Sequence, residues 1–467
     1  MTADRSRLPD VGPDPVFSFP GIVRHALPNG LQIRTVEQPG VPVITFVLQI
    51  EGGSGGDPAD QEGLAAVTAD MVDEGTGSLS ALDVSDALAR IGADYDVDVG
   101  PDVTTFSLTT LARFARRGGS LLASMVTSPS LRAVDFERVR QLRLDRLRQI
   151  KDLAPAAAER AFLRLLYDGH PYGHLPIGND RALRALSIET VVALHARAFT
   201  PPSATLVVGG AMTHDELLAV ASESFGGWSG SWAPAPGDHP PLDASPRRAA
   251  AEIEPAPRAL TRLAVVPRER AAQSELRIGH LAARRNTPDY HALLVMNAVL
   301  GGQFVSRINL KLREEKGYTY GARTGFDWRR GATPFTLQAS VHTASTAEAV
   351  RDALDELAAI RGPRPLTAEE LALAKASLTR GYARNFETAQ QVTRSVAQLA
   401  LYRLPDTYFA EFVPTVNGIT AADVTRVAER YLDPSRLTTV IVGDLSVIAE
   451  PLRSLGLGDA EVLPLEL

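Results

Sequence analysis

Between Gly226 and Arg258 the chain carries Pro234, Pro236, Pro240, Pro241, Pro246, Pro255 and Pro257 with little apolar periodicity. Proline has no backbone N–H and a fixed φ, so neither a helix interior nor a central strand runs through such a stretch. It reads as a linker. The 467 residues then divide into 20–225, a connecting 226–258, and 259–467, within the two to four domains that a prior of roughly 100 to 200 residues per domain allows. The two long parts end alike. Ile188 to His195 leads to Phe199, Pro202 and the strand-like Ala204 to Gly209, while Ile419 to Val424 leads to Tyr431, Pro434 and Leu437 to Gly443. Helix, aromatic, proline, β-branched strand and glycine recur in one order, which implies duplication.

Within each half, extended and helical patterns alternate. Val43–Ile50, Thr104–Thr110, Leu276–Leu281, Tyr320–Trp328 and Phe335–Val341 are rich in β-branched and aromatic residues and read as strands. Apolar spacing predicts helices over Gln61–Glu74, Ala133–Asp152, Ala156–Tyr167, Asp289–Leu300 and Thr367–Phe386. Asn29-Gly30 marks a hairpin turn before the first long strand. The expected class is α+β: a mostly antiparallel sheet covered by helices, present twice. The proline-rich connection would leave the two copies free to move.

Composition narrows the function. Hydrophobic residues at 45% and charged residues at 22% suit a globular core, and a net charge of −7 gives no general attraction to nucleic acid or anionic lipid. Neither is an expected partner. With no cysteine, disulfides, thiolate metal sites and cysteine nucleophiles are excluded. Pro9, Asp10, Gly12, Pro13, Asp14 and Pro15 stand where a signal peptide would need an apolar run, and no stretch is long enough to span a bilayer. The expected compartment is cytoplasmic, or periplasmic if the true start lies upstream.

The segment Gly63-Leu64-Ala65-Ala66-Val67-Thr68-Ala69-Asp70-Met71, followed by Gly75-Thr76, comes after a glycine-rich turn. It resembles the active-site helix of the pitrilysin/insulinase family of inverted-motif zinc peptidases, whose pattern is close to G-L-A-H-x-x-E-H-M with a following G-T pair. Two histidines at i and i+4 share a helix face and reach one zinc ion, while the glutamate acts as base for the metal-bound water. Those three positions are Ala66, Ala69 and Asp70 here. Two methyl groups and a carboxylate cannot replace two imidazoles and a base. The resemblance puts the family's third ligand near Asp145 or Arg146. Asp145 with Asp70 would form an oxygen-only pair, suited to a hard cation rather than zinc; a solvated polar helix face is the plainer reading. No metal is expected in this chain.

Other histidines do not restore the site. His170 and His174 are four apart in His170-Pro171-Tyr172-Gly173-His174, but Pro171 and Gly173 break any helix that would align them. Loop packing is the expectation there. His291, beside Tyr290 and Leu293, reads as a buried or half-buried helical histidine.

The second half keeps more. Gly301-Gly302-Gln303-Phe304-Val305-Ser306-Arg307 opens a predicted helix that runs through Leu310, Leu312 and Arg313 to Lys316, stops at Gly317 and enters a strand at Tyr318-Thr319-Tyr320. This resembles the family's L-R-E-x-x-G-x-x-Y signature, with Arg313 and Tyr320 at its arginine and tyrosine. A phenol or guanidinium donor fixed beside a carbonyl stabilises the negative charge that develops when the carbonyl is attacked. The family includes peptidases assembled from two chains, one bearing the zinc motif and the other the arginine–tyrosine pair. The resemblance therefore implies a zinc-free, substrate-binding subunit of a heterodimeric zinc endopeptidase, with peptide as substrate and zinc in the partner subunit. The alternative is an inert scaffold or peptide-binding module. Autonomous hydrolysis ranks last.

Overall fold

The computed structural model describes residues 17–231 and 263–464. Its first sheet is built from β1 (Ile22–Ala26), β2 (Gln32–Glu37), β3 (Val43–Glu51), β4 (Asp94–Val99), β5 (Val103–Leu111) and β6 (Ala204–Gly210). Its second uses β7 (Leu263–Pro267), β8 (Gln273–Ala282), β9 (Thr319–Phe326), β10 (Thr333–His342), β11 (Thr438–Gly443) and β12 (Glu461–Val462). Spatial order is β4-β5-β3-β6-β2-β1 in the first sheet and β9-β10-β8-β11-β7-β12 in the second. Five strands of each sheet match in order and direction, while the sixth differs: β1 precedes β2 and pairs with it antiparallel, and β12 comes from the C-terminal end and pairs parallel with β7. Pairing is antiparallel except for β2 with β6, β7 with β11 and β7 with β12. The α+β class and the duplicated plan therefore hold, and β6 and β11, the strands of the sequence repeat, occupy equivalent inner positions.

The named helices are α1 (Leu64–Asp70), α2 (Ala115–Thr127), α3 (Ala133–Lys151), α4 (Ala154–Tyr167), α5 (His214–Phe225), α6 (Tyr290–Leu300), α7 (Thr346–Ala359), α8 (Ala368–Thr379), α9 (Ala389–Leu401) and α10 (Leu445–Arg453). Alternation along β3 sends Ile44, Phe46, Leu48 and Ile50 to one face, where they meet Leu122 and Val126 of α2 and Leu217 and Phe225 of α5. In the second sheet Leu276, Ile278 and Leu337 meet Met296 of α6, Val350 of α7 and Ile448 of α10.

The opposite faces are covered crosswise. Val392 and Val396 of α9, from the second half, share a core with Val47 and Val207 of the first sheet. There Gly209 leaves the space that Thr393 fills. In return, Ala157 and Ala158 of α4 pack on Val266 and Val442, and Phe162 packs with Ala264 and Val440. Each half thus lends a helix to the other's sheet. The proline-rich stretch lies outside the described residues from 232 to 262, but Trp228, at its predicted start, is buried in the first core beside Phe225.

Apart from the helix predicted from Gly301, described with the site below, the sequence-predicted elements sit close to those observed, with two helices shortened for physical reasons. The Gln61–Glu74 helix shrinks to two turns, with Gly63 at φ 96° as its start. The Thr367–Phe386 helix ends at Thr379, because Gly381 turns left-handed at φ 78° before a short 3₁₀ segment, Tyr382–Phe386. Among the described residues no helix is long and apolar enough to cross a membrane.

Candidate functional site

The start of α1 is fixed from below. The buried Asp57 carboxylate accepts hydrogen bonds from the Gly63 and Ala65 amides at 2.8 and 2.7 Å, satisfying donors that a helix N-terminus leaves open. His174 Nε2 lies 3.1 Å from the same carboxylate. His170 is engaged separately: its Nδ1 accepts from the Tyr172 amide, and its ring packs against Tyr167 and Tyr172. The two histidines support the loop and the helix cap instead of converging on one point. His291 lies among the rings of Tyr290, Tyr408 and Phe412, and burial, helped by the Arg285 charge, lowers its pKa to about 4. It is neutral at physiological pH.

On α1 itself Ala66 and Ala69 are buried methyl groups. Asp70 is half-exposed, and its carboxylate is held by Arg143 of α3 at 2.7 Å, whose guanidinium also donates to the Ala66 carbonyl at 3.1 Å. A cation from the protein therefore joins the two helices that the family motif would join through metal. Asp145 does not take part: it accepts from Gln141 and pairs with Arg148 on its own helix. The oxygen-only Asp70–Asp145 site is not formed, because 100° per residue turns Asp145 well away from the direction of Arg143. Among the described residues no group of three or more His, Cys, Asp or Glu side chains converges on a common point. The residues present do not fit zinc.

The stretch after α1 is acidic and partly buried. Desolvation, with the neighbouring Glu74 charge, raises the Asp73 pKa to about 6. Burial also raises that of Glu74, although Glu74 pairs with Arg138. Sequence reasoning missed Arg143. The available signal was a charge on the stripe of α3 that includes buried Phe136, Val139 and Leu147.

Between the halves lies a polar lock formed by the turn joining β9 to β10. The Arg330 guanidinium pairs with both carboxylate oxygens of Glu51 on β3, and its Nε donates to the Leu401 carbonyl of α9 at 2.9 Å. The Arg330 amide donates to Asp102, which also accepts from the Tyr172 hydroxyl. Arg329 donates to the Tyr172 carbonyl at 2.9 Å and pairs with Asp327. The His170-Pro171-Tyr172-Gly173 loop is thus the socket for a turn of the other half.

Arg313 and Tyr320 are placed differently from the zinc-motif positions. The predicted helix from Gly301 instead forms a loop through Ser306, a short helical segment at Arg307–Asn309 and a π-helix over Leu310–Glu315. Wide π segments are frequent at functional sites. The stop is correspondingly broad: the Tyr318 amide reaches the Leu312 carbonyl, the Gly317 amide reaches Arg313, and Gly317 sits at φ 65°. Below it, Arg307 anchors the segment through Glu370 on α8 at 2.6 and 2.7 Å and through the Arg364 and Pro365 carbonyls.

Arg313 Nε lies 3.2 Å from Glu314, and its guanidinium carbon stands 4.5 Å above the centre of the Phe304 ring. Its two terminal nitrogens have no hydrogen-bond partner among the described residues. Tyr320, the second residue of β9, has 85% of its surface exposed. Its hydroxyl too has no partner among the described residues. The outer edges of β9 and β4 are unpaired among the described residues, and Asp94, Asp96 and Asp98 alternate along β4 as exposed side chains.

Comparison with known proteins agrees with this architecture. Residues 32–177 match the insulinase, peptidase family M16, and residues 185–378 match the peptidase M16 inactive domain. An uncharacterized zinc protease of Mycobacterium tuberculosis is 24% identical over 420 residues, covering 90% of this chain and 92% of that protein. The mitochondrial-processing peptidase subunit beta of Rattus norvegicus is 23% identical over 48% of this chain and 45% of its own length. Among solved structures, the peptidase M16 inactive domain from Pseudomonas fluorescens superposes with a TM-score of 0.81 at 21% identity, covering 91% of this chain and 98% of that one. A protease from Helicobacter pylori gives 0.80 at 20% identity, with 91% and 100% covered. With both halves matched by its domain types and the whole fold shared, this chain belongs to the insulinase peptidase family, M16.

Proposed function

We propose that this chain is the zinc-free, substrate-binding subunit of a heterodimeric zinc metalloendopeptidase and completes the partner's active site. The observation that carries this reading is the unequal fate of two motif sites. The zinc-motif positions are closed, by the buried methyls of Ala66 and Ala69 and by the Arg143–Asp70 pair. Arg313 and Tyr320 keep polar atoms turned to solvent. Donors left open to solvent remain available to a substrate, which the shared-site reading requires.

In this scheme the partner holds zinc, which supplies the activated water. Tyr320 donates its O–H toward the substrate carbonyl oxygen as charge develops there, and the free Arg313 fork holds a neighbouring carbonyl or carboxylate. An extended peptide can add along the unpaired outer edge of β9, through main-chain hydrogen bonds that tolerate many sequences.

The test is affinity capture of the tagged full chain from its source cells, with a peptidase assay on the complex. A co-purifying zinc-bearing family member is expected, and Tyr320→Phe should lower turnover by about tenfold or more, as loss of an oxyanion donor does. Capture of such a partner with turnover unchanged by Tyr320→Phe would favour the scaffold reading.

A further inference from the structure

We propose that Phe304 is the positioning residue for Arg313, setting the direction in which the guanidinium fork faces the substrate. The proposal rests on the substrate-binding reading of Arg313. Phe304 is a large apolar side chain with 58% of its surface exposed. Burial in a core does not explain it; its ring face carries the Arg313 guanidinium at 4.5 Å. That geometry attracts a cation through the ring quadrupole while leaving the in-plane N–H donors free.

The ring can orient Arg313 only if its own position is defined, and the backbone around it is tied down. Asn309 Nδ2 donates to the Phe304 carbonyl at 2.7 Å, while Asn309 Oδ1 accepts from the Ala322 amide of β9 at 3.0 Å. One buried side chain thereby fixes the Phe304 loop to the strand that bears Tyr320. On the other side, the Gly301 and Gly302 amides both donate to the Asn297 carbonyl, and the Thr324 amide donates to Gly301. A Cβ at Gly301 would strike Thr324, and one at Gly302 would strike Asn297, so the double glycine permits this close seating.

Arg313 therefore has two neighbours that hold it, Glu314 at Nε and the Phe304 ring beneath its guanidinium carbon, and an open fork. Glu314 is itself half-exposed and adjacent in sequence, so by itself it tethers the side chain without fixing its plane. The Phe304 ring supplies the plane.

The experiment has two arms on the full chain. In the first, selective ¹⁵N-arginine labelling follows the Arg313 Nε–Hε resonance, assigned by its disappearance in Arg313→Lys. A ring-shifted Hε is expected in the natural chain, an ordinary exposed-arginine position in Phe304→Leu, and a return of the shift in Phe304→Tyr. The second measures kcat and KM on a quenched-fluorophore peptide with the co-purified zinc-bearing partner. Phe304→Leu should lower kcat/KM about two- to fivefold, the worth of an exposed cation–π contact. Phe304→Tyr should restore it, and Phe304→Leu should add nothing in an Arg313→Ala background. An unshifted Hε in the natural chain, or an undiminished Phe304→Leu effect in the Arg313→Ala background, overturns the proposal. If Arg313→Ala itself leaves turnover unchanged, the shared-site reading falls, and the resonance arm still decides whether Phe304 sets the guanidinium.

Discussion

Arg143 holds Asp70 at 2.7 Å, and so bridges α3 to α1 through the carboxylate at the second histidine position of the zinc motif. The same guanidinium reaches the carbonyl of Ala66, the first such position. A fixed cation thus stands where the family motif would gather a metal.

Restoring the motif in α1 is therefore insufficient. The triple substitution Ala66→His, Ala69→Glu, Asp70→His should still bind no stoichiometric zinc, since Arg143 repels a divalent ion and Asp145 points away. Metal analysis of the dialysed protein measures this; one zinc per chain would show that the guanidinium does not guard the site. Arg143→Ala in the natural chain should cost about 1 kcal/mol in urea unfolding, because Asp70 is half-exposed and the pair screened.

Arg330 offers the opposite case. It is largely buried and bidentate to Glu51, and its removal leaves that carboxylate without its partner. Arg330→Ala should destabilise by about 3 kcal/mol, and it should also speed proteolysis between the halves. A change within experimental error would mean that the crossed helices α4 and α9 hold the halves unaided.

Asp73 should make the fold more stable as pH falls toward 4. Its folded pKa, raised to about 6, exceeds its unfolded value of 3.8, so the ionised form is the one that folding disfavours. The penalty is complete above pH 6 and fades as pH drops through 6 toward 3.8. Asp73→Asn should add about 1–2 kcal/mol at pH 7 and flatten the pH dependence of unfolding in that window. An equal effect at pH 4 and pH 7 would contradict the assignment.

Glu370 carries the reverse sign. Hydrogen bonding to Arg307, foremost, lowers its pKa from 4.5 to about 2. Its stabilisation is present above pH 4.5 and lost as pH falls through 4.5 toward 2. Glu370→Gln should cost about 1 kcal/mol at pH 7, the shift being discounted for solvent screening of this partly exposed carboxylate, and little near pH 2, with the loss centred on the segment that bears Arg313. Hydrogen exchange of Leu310–Lys316, faster in the variant, locates the effect.

Local chemistry determined what sequence could reveal. Strand composition, the Asn29-Gly30 turn and the recurring helix–proline–strand order are properties of short segments, and they were legible as two α+β copies with elements near their true bounds. The identities Ala66, Ala69 and Asp70 settled the chemistry of the zinc motif, because a methyl group cannot ligate wherever it lies. Three features needed the folded chain. The Asp145 side chain turns to its own helix while Arg143 meets α1, a difference of helical phase against a distant partner. The π-helix under Arg313 widens the backbone by one residue, which depends on the anchors Arg307–Glu370 and Asn309–Ala322. The interlocking of the halves through Arg330, Asp102 and Glu51, and the exchange of α4 and α9, join residues from about one hundred to nearly three hundred positions apart. Such pairings are selected by burial and complementary charge in three dimensions, and no periodicity in a single chain encodes them.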